Sequence, residues 1–473
     1  MPSPLVYRLA VVLPGPRSPR WIRQSLAAIA RVPGVEVRVL FTTSPADGAD
    51  AGRSRLLRSY LSWDRRAFTP DRDAAEVASI EDVLPGVERV VLSSTDARYS
   101  ATYLATIARH QVDLTLDFSD RSALQQSGPQ PRLGTWRLQH DGMAAGAAAA
   151  AAVLAGRSTI TSRLVLGDGT NRVVCQSVSA ADSFSVTLAL NRVLWKSAAL
   201  MPRTLRSLVT FGESILSETA AAPNEEALPL SSRRLAGHIR SLVRRAARHL
   251  RDREPGPPQW VLLRARADSG DAIRLVEEVV PGPGQFWADP CVVEHEGRQF
   301  VFLEEFSRRS GRGHLAVSEL DTEGRWTPPR PILERPYHLS YPLVFRHRGD
   351  WFLLPESCEN GTIELYRCER FPDRWTLATV IMRDVRAVDS TVMERDGRWW
   401  LFTNLGEFDG SSMHDDLHAF WTDDLLGGAW RPHARNPIVS DVRRARCAGH
   451  FIHKDGRLIR PSQDCSRSYG WAL

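Results

Sequence analysis

Residues 294–305 read EHEGRQFVFLEE, a tight turn at a glycine between two runs of strand-forming residues. Three later segments have the same pattern: RHRGDWFLLPES (346–357), ERDGRWWLFTN (394–404) and HKDGRLIRPSQD (453–464). The turn glycines of the four segments are Gly297, Gly349, Gly397 and Gly456. Successive glycines are 52, 48 and 59 residues apart. A repeat of about 50 residues that consists of several short strands is typical of the blades of a β-propeller.

The strand before each turn is expected to be the innermost strand of its blade. The predicted inner strands cover residues 288–293, 340–345, 388–393 and 448–452. A further strand pair, 259–266 and 273–280, would belong to the blade that closes the ring. Together these segments predict an all-β, five-bladed β-propeller over residues 259–473. We expect the last blade to be incomplete unless strands from the N-terminal half complete it, so closure of the ring stays open.

The first 130 residues alternate between strand and helix patterns instead. Tyr7–Leu13 and Glu88–Leu92 are apolar runs that precede segments with helical spacing, and runs at 35–41 and 112–118 also read as strands. This order favours a parallel sheet flanked by helices. The chain is therefore predicted to be multidomain, with an α/β, Rossmann-like domain at 1–219 in front of the propeller.

Residues 220–258 are expected to link the two domains. After a stretch rich in Pro, Glu and Ser comes segment 233–253, from Arg233 to Arg253, with eight arginines and apolar residues at helical spacing. Such a basic amphipathic helix can bind an anionic membrane surface or a polyanionic substrate. It can equally pack its apolar face on one domain and keep its arginines in water, and the pattern favours this second interpretation.

Composition and motifs exclude several classes of protein. The chain is 43% hydrophobic and 25% charged, which is typical of globular domains. The 61 basic and 55 acidic residues nearly balance and no nucleic-acid-binding motif occurs, so no nucleic-acid partner is predicted. Without an apolar run of about 18 residues or a signal-peptide core, we expect a cytoplasmic protein, peripheral at the inner face of the membrane if the basic helix binds lipid. The six cysteines form no CxxC pair, and no GxGxxG, P-loop or HExxH motif occurs, so neither a metal nor a cofactor is predicted.

Acidic residues on the inner strands are the candidate catalytic groups. Asp289 and Asp389 open the first and third inner strands, and Glu356 and Asp464 lie on neighbouring strands. Because the inner strands of a propeller converge on its axis, these carboxyl groups are expected in one pocket. Glycosyl chemistry uses one carboxylate as a base and one protonated carboxyl as an acid. Alternatively, Glu356 and Asp464 accept hydrogen bonds at strand turns.

Aromatic and basic side chains would complete this pocket. The candidate rings, which suit the apolar face and the hydroxyls of a sugar, are Trp287, His338, Tyr341, His450 and Tyr469. Arg446 and Arg460 can bind a phosphate or carboxylate. Ordinary blade packing is the alternative for the rings, and a structural salt bridge is the alternative for the arginines.

The motifs FWADPCVV, HLSYPLVF, LPES, TIELYR, AVDSTV, WWLFTN, NPIVSDVRRARCAG and RPSQDCSRSYG occur in this order. The series resembles the β-propeller domain of the glucosamine inositolphosphorylceramide transferase type, over about residues 259–473. That domain looks like the five-bladed propellers of arabinanases and invertases. The resemblance implies that Asp289 is the general base and that Asp389 is the aspartate that tunes its pKa. The general acid of those propellers is a glutamate, and Glu356 is the nearest candidate.

The N-terminal half resembles formyltransferases, which use an Asn-x-His motif and a distant aspartate. The segment WRLQHDG keeps the histidine as His140 but has Leu138 in place of the asparagine, and Asp168 is the match for the aspartate. Without the asparagine amide to stabilise the oxyanion, formyl transfer should lose a large part of its rate. We expect this domain to keep the fold and to have lost the reaction.

Three functions are consistent with these observations. The leading hypothesis is a glycosyltransferase of surface-polysaccharide or glycolipid biosynthesis that acts on a sugar or sugar nucleotide. It is favoured because the acid-lined pocket occurs together with a basic helix and without an export signal. The alternatives are a furanoside-type glycoside hydrolase and a non-catalytic glycan-binding scaffold.

Overall fold

A computed structural model describes residues 6–43, 54–92, 101–119, 130–167, 171–217, 219–223, 230–251, 260–267, 273–282, 284–321 and 325–473. Within these residues the chain forms an N-terminal α/β part and a C-terminal part of antiparallel sheets. The helices found there are all too short or too polar to span a membrane.

The α/β part is built on a mixed sheet. The strands of this part are β1 (Tyr7–Leu13), β2 (Arg17–Pro19), β3 (Val35–Thr43), β4 (Val77–Ser79), β5 (Glu88–Leu92), β6 (Leu114–Asp117), β7 (Thr135–His140), β8 (Thr159–Leu166), β9 (Arg172–Ala180) and β10 (Ala220–Ala221). The sheet order is β10-β9-β8-β7-β6-β1-β3-β5, parallel from β7 to β5 and antiparallel from β7 to β10, while β2 pairs with β4. Strand β1 is buried on both faces, as expected of a parallel sheet covered by helices. The structure thus agrees with the predicted α/β class, and β1 and β5 have the predicted bounds.

Helices cover this sheet and lead out of it. They are α1 (Arg20–Ile29), α2 (Arg55–Ala67), α3 (Ala101–Arg109), α4 (Ala145–Ala155), α5 (Val186–Phe211), α6 (Ser214–Ser217) and α7 (Ser232–Arg251). The 26-residue helix α5 begins after Ser185, whose hydroxyl accepts a hydrogen bond from the N–H of Leu188. Its start is also fixed by Asp64 of α2, which accepts hydrogen bonds from the N–H and the hydroxyl of Thr187. These contacts hold α5 where it can reach the C-terminal part.

The C-terminal part starts with the antiparallel pair β11 (Leu262–Ala267) and β12 (Ile273–Val279), close to the predicted hairpin. Three four-stranded antiparallel sheets follow. They are β13 (Gln285–His295), β14 (Arg298–Ser307), β15 (Arg312–Glu319) and β16 (Arg330–Leu333); β17 (Ser340–His347), β18 (Asp350–Ser357), β19 (Thr362–Arg370) and β20 (Arg374–Arg383); and β21 (Ala387–Arg395), β22 (Arg398–Leu405), β23 (Leu417–Thr422) and β24 (Arg431–Pro432). The predicted all-β architecture is confirmed, and we call these sheets blades 1, 2 and 3. The total of five blades stays a prediction.

The fourth repeat is less regular than the first three. It contains β25 (Arg446–Cys447), β26 (Ile452–Lys454), β27 (Arg457–Ile459) and β28 (Ser462–Gln463), paired as β25-β28 and β26-β27. The prediction of one continuous inner strand over 448–452 is wrong. The backbone turns at Gly449, where φ is 107°, and this conformation ends the strand.

The basic helix α7 packs on the α/β part. Its Leu235 is buried, and the Nε2 atom of buried His238 lies 2.9 Å from the Tyr60 hydroxyl of α2. Ile239 and Val243 are exposed beside the arginines. This geometry corresponds to the packed-linker interpretation, although it leaves two apolar side chains in water. The α/β part also reaches past residue 219, because β10 pairs with β9.

The two parts meet in a buried cluster of ions. On α5, Lys196 Nζ lies 2.5 Å from Asp416 Oδ1, and Arg203 Nη2 lies 2.7 Å from Asp416 Oδ2. Arg203 Nε also lies 3.1 Å from Glu407 Oε1, and Lys196 faces Asp415 at 3.4 Å. These side chains are at most 9% exposed except Glu407 at 22%. The α/β part is therefore held on blade 3 by charge pairs away from water.

Candidate functional site

The inner strands of blades 1, 2 and 3 each carry a β-bulge at the same place. The strand register shifts between residues 288 and 291, 340 and 343, and 388 and 391. The first bulged residue has a left-handed backbone in each case, with φ of 50° at Asp289, 47° at Tyr341 and 50° at Asp389. Such a conformation is strained for residues with a side chain and is common where a bulge redirects one. All three residues stand eight positions before their turn glycine.

A second polar position repeats on the neighbouring strands. The residues seven positions after the four turn glycines are Glu304, Glu356, Asn404 and Gln463. In blades 1 to 3 these residues lie directly opposite the residue before the bulge, because Ala288 pairs with Glu304, Ser340 with Glu356 and Val388 with Asn404. The repeat thus brings two sets of polar side chains to the same level of the blades.

A cavity of about 800 Å³ lies where these positions meet. Its polar lining includes Asp289, Glu304, Glu356, Arg446, His338, His450, Tyr341, Tyr469 and Gln463. Its apolar lining includes Trp260, Leu262, Phe286, Trp287, Phe306 and Ile452. A pocket with a large apolar wall and a few converging carboxyl groups is the usual form of a small-molecule site, and we call it the axial cavity.

Asp389 is 1% exposed and stands behind the lining, where it anchors Arg446. Its carboxylate accepts hydrogen bonds from Arg446 Nε at 2.5 Å, Arg446 Nη2 at 3.0 Å and Gln463 Nε2 at 2.9 Å. Arg446 Nη1 lies 2.8 Å from His414 Nδ1. The guanidinium is thus committed to groups of the protein, which corresponds to the salt-bridge interpretation of Arg446.

Three carboxyl groups of the axial cavity hold their protons unusually tightly. Burial and the Asp389 charge raise the pKa of Asp289 to about 7, although Arg446 opposes the shift. Burial, with the charges of Asp289 and Asp389, raises the pKa of Glu304 to about 8. Burial and Asp389 raise the pKa of Glu356 well above its usual range. At neutral pH the cavity therefore contains neutral carboxyl groups beside one group, Asp289, that is poised to lose its proton.

The predicted aromatic residues all line the axial cavity, but some of their polar atoms already have partners. The five rings are Trp287, His338, Tyr341, His450 and Tyr469. The Tyr341 hydroxyl is already engaged, since it accepts from the Gly449 N–H at 2.6 Å and lies 2.8 Å from Thr391 Oγ1. His450 Nε2 lies 3.3 Å from Cys291 Sγ. The Tyr341 hydroxyl therefore links blade 2 to blade 3 and to the fourth repeat, and it is not free to bind a ligand.

Two predicted residues lie away from the cavity, and one that belongs there was missed. Arg460 donates to the backbone carbonyls of residues 444 and 445, and Asp464 Oδ1 accepts from the Ser466 N–H at 2.8 Å, so both stabilise local loops. Neither lines the axial cavity in the described structure. Glu304, which does, lies inside the first repeat and shares the offset of Glu356 from its turn glycine. Comparing the repeats with one another would have found it.

In the α/β part, His140 is 2% exposed and its Nδ1 lies 2.8 Å from Ser162 Oγ. Burial lowers the pKa of His140 to about 4, so the ring is neutral at pH 7. It lines a cavity of about 220 Å³ with Asp117 and Ser119. Asp168 lies outside the described residues, so the predicted pair with His140 stays a prediction. No group of three or more His, Cys, Asp or Glu side chains in the described ranges is placed to hold a metal ion.

Comparisons with known proteins bear on the C-terminal part. Residues 276–473 match the family model described as glucosamine inositolphosphorylceramide transferase 1, N-terminal. A glucosamine inositolphosphorylceramide transferase 1 from Arabidopsis thaliana is 34% identical over 191 residues, and one from Oryza sativa subsp. japonica is 33% identical over 191 residues. Each alignment covers 40% of this chain and 25% of the relative, so the chain spans about a quarter of the length of these relatives.

Solved structures with some likeness are glycoside hydrolases. An exo-beta-1,3-galactanase from Phanerochaete chrysosporium has a TM-score of 0.35 at 12% identity, covering 43% of this chain and 50% of its own. A thermostable family-43 glycoside hydrolase has a TM-score of 0.27 at 12% identity, covering 37% of this chain and 75% of its own. The resemblance of the N-terminal half to formyltransferases stays a prediction. The sequence match confirms that the C-terminal part, over residues 276–473, resembles the glucosamine inositolphosphorylceramide transferase family.

Proposed function

We propose that the protein is a glycosyltransferase whose reaction takes place in the axial cavity. The observation that carries the proposal is the position of Asp289. This carboxyl is aimed into the cavity by a bulge, its pKa is raised to about 7, and neutral carboxyl groups lie around it. A base near neutrality and a protonated acid are the two groups that glycosyl chemistry requires.

The proposed reaction divides proton transfer between the two sides of the sugar. Asp289, as carboxylate, takes the proton from the acceptor hydroxyl as that oxygen bonds to the anomeric carbon. A neutral carboxyl of the cavity, Glu304 or Glu356, gives its proton to the departing oxygen as the old bond breaks. Trp287 and the other apolar side chains of the wall would contact the carbon face of the sugar ring.

The names of the relatives support transfer over hydrolysis. Both curated proteins are called transferases, and their name includes a sugar and a phosphorylated lipid. We propose by analogy that this chain also modifies a glycolipid or a membrane-bound glycan. The apolar wall of the cavity, with Trp260, Phe286 and Phe306, suits an acceptor that is partly apolar.

The first test measures transfer by the purified chain from a panel of sugar nucleotides to extracted lipids. We expect Asp289→Asn to lower the rate at least a hundredfold, because the variant has no base. Asp396→Asn is the matched control, since Asp396 also has a left-handed backbone, with φ of 53°, but lies on an exposed turn. Release of free sugar without transfer would favour the furanoside hydrolase, and binding without turnover would favour the scaffold.

We propose a secondary role for helix α7 in bringing the cavity to its acceptor. The exposed side chains of Ile239 and Val243 lie among exposed arginines, which is a pattern that anionic lipid surfaces bind. Such binding would place the protein at the inner face of the membrane. Sedimentation with vesicles of phosphatidylglycerol should exceed that with phosphatidylcholine and should fall in the Ile239→Ser, Val243→Ser double variant. Equal sedimentation of both proteins would contradict this role.

A further inference from the structure

Glu304 and His338 form a pair on the wall of the axial cavity that the sequence did not indicate. Glu304 lies on β14 opposite Ala288, one residue from the bulge that carries Asp289. It is only 5% exposed, and both members of the pair line the cavity. His338 Nε2 lies 3.4 Å from Glu304 Oε1. This distance is longer than a normal hydrogen bond, as catalytic contacts often are before a ligand binds.

The backbone determines which nitrogen of His338 carries the proton. The N–H of Gly313 donates to His338 Nδ1 at 2.9 Å, so Nδ1 must be unprotonated. Burial also lowers the pKa of His338, which keeps the ring neutral near pH 7 although Glu359 opposes the shift. The remaining proton is therefore on Nε2, the nitrogen that lies 3.4 Å from Glu304 Oε1. This contact leaves the other oxygen of Glu304 for the carboxyl proton.

The pair is tightly packed at Gly313. A Cβ atom at that position would lie 2.6 Å from Glu304 Oε1, 2.7 Å from the carbonyl oxygen of Leu339 and 2.8 Å from His338 Cε1. All three distances are shorter than side chains tolerate, and one of the atoms is backbone. The absence of a side chain at Gly313 is thus what allows the carboxyl and the ring to approach. The geometry of the pair is built into the blade.

Glu356, the other candidate acid, is in a different situation. Arg446 Nη2 lies 3.8 Å from its Oε2 atom, and this cation opposes the rise in the pKa of Glu356 that burial and Asp389 cause. The guanidinium therefore disfavours the acid form of Glu356. The charged and titratable groups that act on Glu304 are Asp289, Asp389 and His338, and both aspartates raise the pKa of Glu304 and so favour its acid form.

We propose that Glu304 is the general acid of the axial cavity and that His338 is its positioning residue. This inference rests on the proposed function. In the step, the Glu304 O–H bond breaks and the proton joins the departing glycosidic oxygen while the bond from that oxygen to the anomeric carbon breaks. The acceptor oxygen bonds to the same carbon and gives its proton to Asp289. Glu304 ends as a carboxylate and Asp289 as an acid, so the total charge is unchanged, and solvent returns both to their starting states.

The catalytic part is tested with phenyl and 2,4-dinitrophenyl α-L-arabinofuranosides as probes, with water or added alcohol as the acceptor. Glu304→Gln should be slowed about 10²–10⁴-fold with the phenyl probe, the usual contribution of a general acid. It should be slowed less than about tenfold with the dinitrophenyl probe, because that phenolate leaves without a proton. Glu305→Gln on the same strand is the control, since Glu305 bonds Gln285 and does not line the cavity. The same leaving-group pattern in Glu356→Gln, and not in Glu304→Gln, would overturn the assignment.

The protonation state is tested independently of turnover, by infrared spectroscopy of the whole chain. We expect a carboxylic-acid C=O band at pH 7 that Glu304→Gln removes and that titrates near the pKa of about 8. His338→Leu should shift this band and lower kcat with little change in KM, and His338→Gln, which keeps a donor near Glu304, should restore both. A Glu304 that is ionised at pH 6 overturns the pair itself. If the wild type turns over none of the probes or sugar nucleotides, the proposed function fails together with the catalytic role of Glu304, whatever the infrared band shows.

Discussion

Replacing Arg203 by methionine should weaken the contact between the two parts of the chain. Arg203 on α5 binds Asp416 at 2.7 Å and Glu407 at 3.1 Å, and its side chain is 9% exposed. Methionine fills a similar volume but leaves two carboxylates facing each other with Lys196 as the nearby cation. Removing one partner of a buried ion pair costs about 3–5 kcal/mol, because the remaining charge stays buried without compensation.

The pKa of Glu407 gives an independent magnitude. Burial alone would raise it, but Arg203, with His418, lowers the pKa of Glu407 from 4.5 to about 2. This difference corresponds to about 3 kcal/mol of stability at neutral pH. Because the folded pKa is depressed, this contribution is present above about pH 4.5 and is lost as the pH falls toward 2. Both routes predict a loss of about 3 kcal/mol in Arg203→Met at pH 7.

The assay is urea unfolding of the full chain, with hydrogen exchange followed in residues 186–211 and 404–418. In Arg203→Met we expect faster exchange in both segments and a weaker acid dependence of stability between pH 5 and 2. Thr210→Met, at an exposed position on the same helix, is the control and should change stability by less than about 0.5 kcal/mol. A loss below about 1 kcal/mol in Arg203→Met, or an equal loss in the control, would refute the reasoning.

Two further substitutions test the packing of the axial cavity. Tyr341→Phe removes a hydroxyl that bonds the Gly449 N–H and the Thr391 hydroxyl, so the free energy of unfolding should fall by about 1–3 kcal/mol, as urea denaturation will show. An unchanged stability would mean that the bulges hold without this tie. Gly313→Ala pushes the Glu304 carboxyl away from its ring partner and should lower kcat at least tenfold while shifting the alkaline limb of the pH–rate profile. A pH profile identical to that of the wild type would contradict the need for glycine at this position.

The repeat carries most of what the sequence can predict about this site. The turn glycines fix the register of each blade, so Asp289 and Asp389 can be placed eight positions before their glycines, and Glu356 seven positions after its glycine, without a structure. The offset of Glu356 also points to Glu304, which was missed because acids were considered singly rather than by position in the repeat. Local periodicity was equally informative in the α/β part, where β1 and β5 have the predicted bounds.

Contacts between blades were beyond the reach of the sequence. Arg446 and Asp389 are 57 residues apart and meet only because the chain turns from blade 3 into the fourth repeat. The sequence does not show how these segments turn relative to each other. It therefore cannot predict that Arg446 is paired with Asp389, or that Arg460 and Asp464 bond to their own loops. The break in the strand at Gly449 also depends on a contact with another blade. The Gly449 N–H donates a hydrogen bond to the Tyr341 hydroxyl of blade 2 instead of pairing within a strand.

The residue seven positions after each turn glycine is an acid in two repeats and an amide in the other two, and the hydrogen-bond partners explain the difference. In blades 1 and 2 the position is an acid that faces the axial cavity, Glu304 or Glu356. In blade 3 it is Asn404, whose Nδ2 donates to the carbonyl oxygen of Asp416 at 2.9 Å, and in the fourth repeat it is Gln463, whose Nε2 donates to the carbonyl oxygen of Cys447 at 2.9 Å. A carboxylate cannot donate, so an amide is required wherever the position faces a backbone carbonyl. Asp416 also binds Arg203 of α5, so the Asn404 amide connects this set of four positions to the junction with the α/β part. The equivalent positions of blades 1 and 2 carry acids that line the axial cavity and can face a substrate.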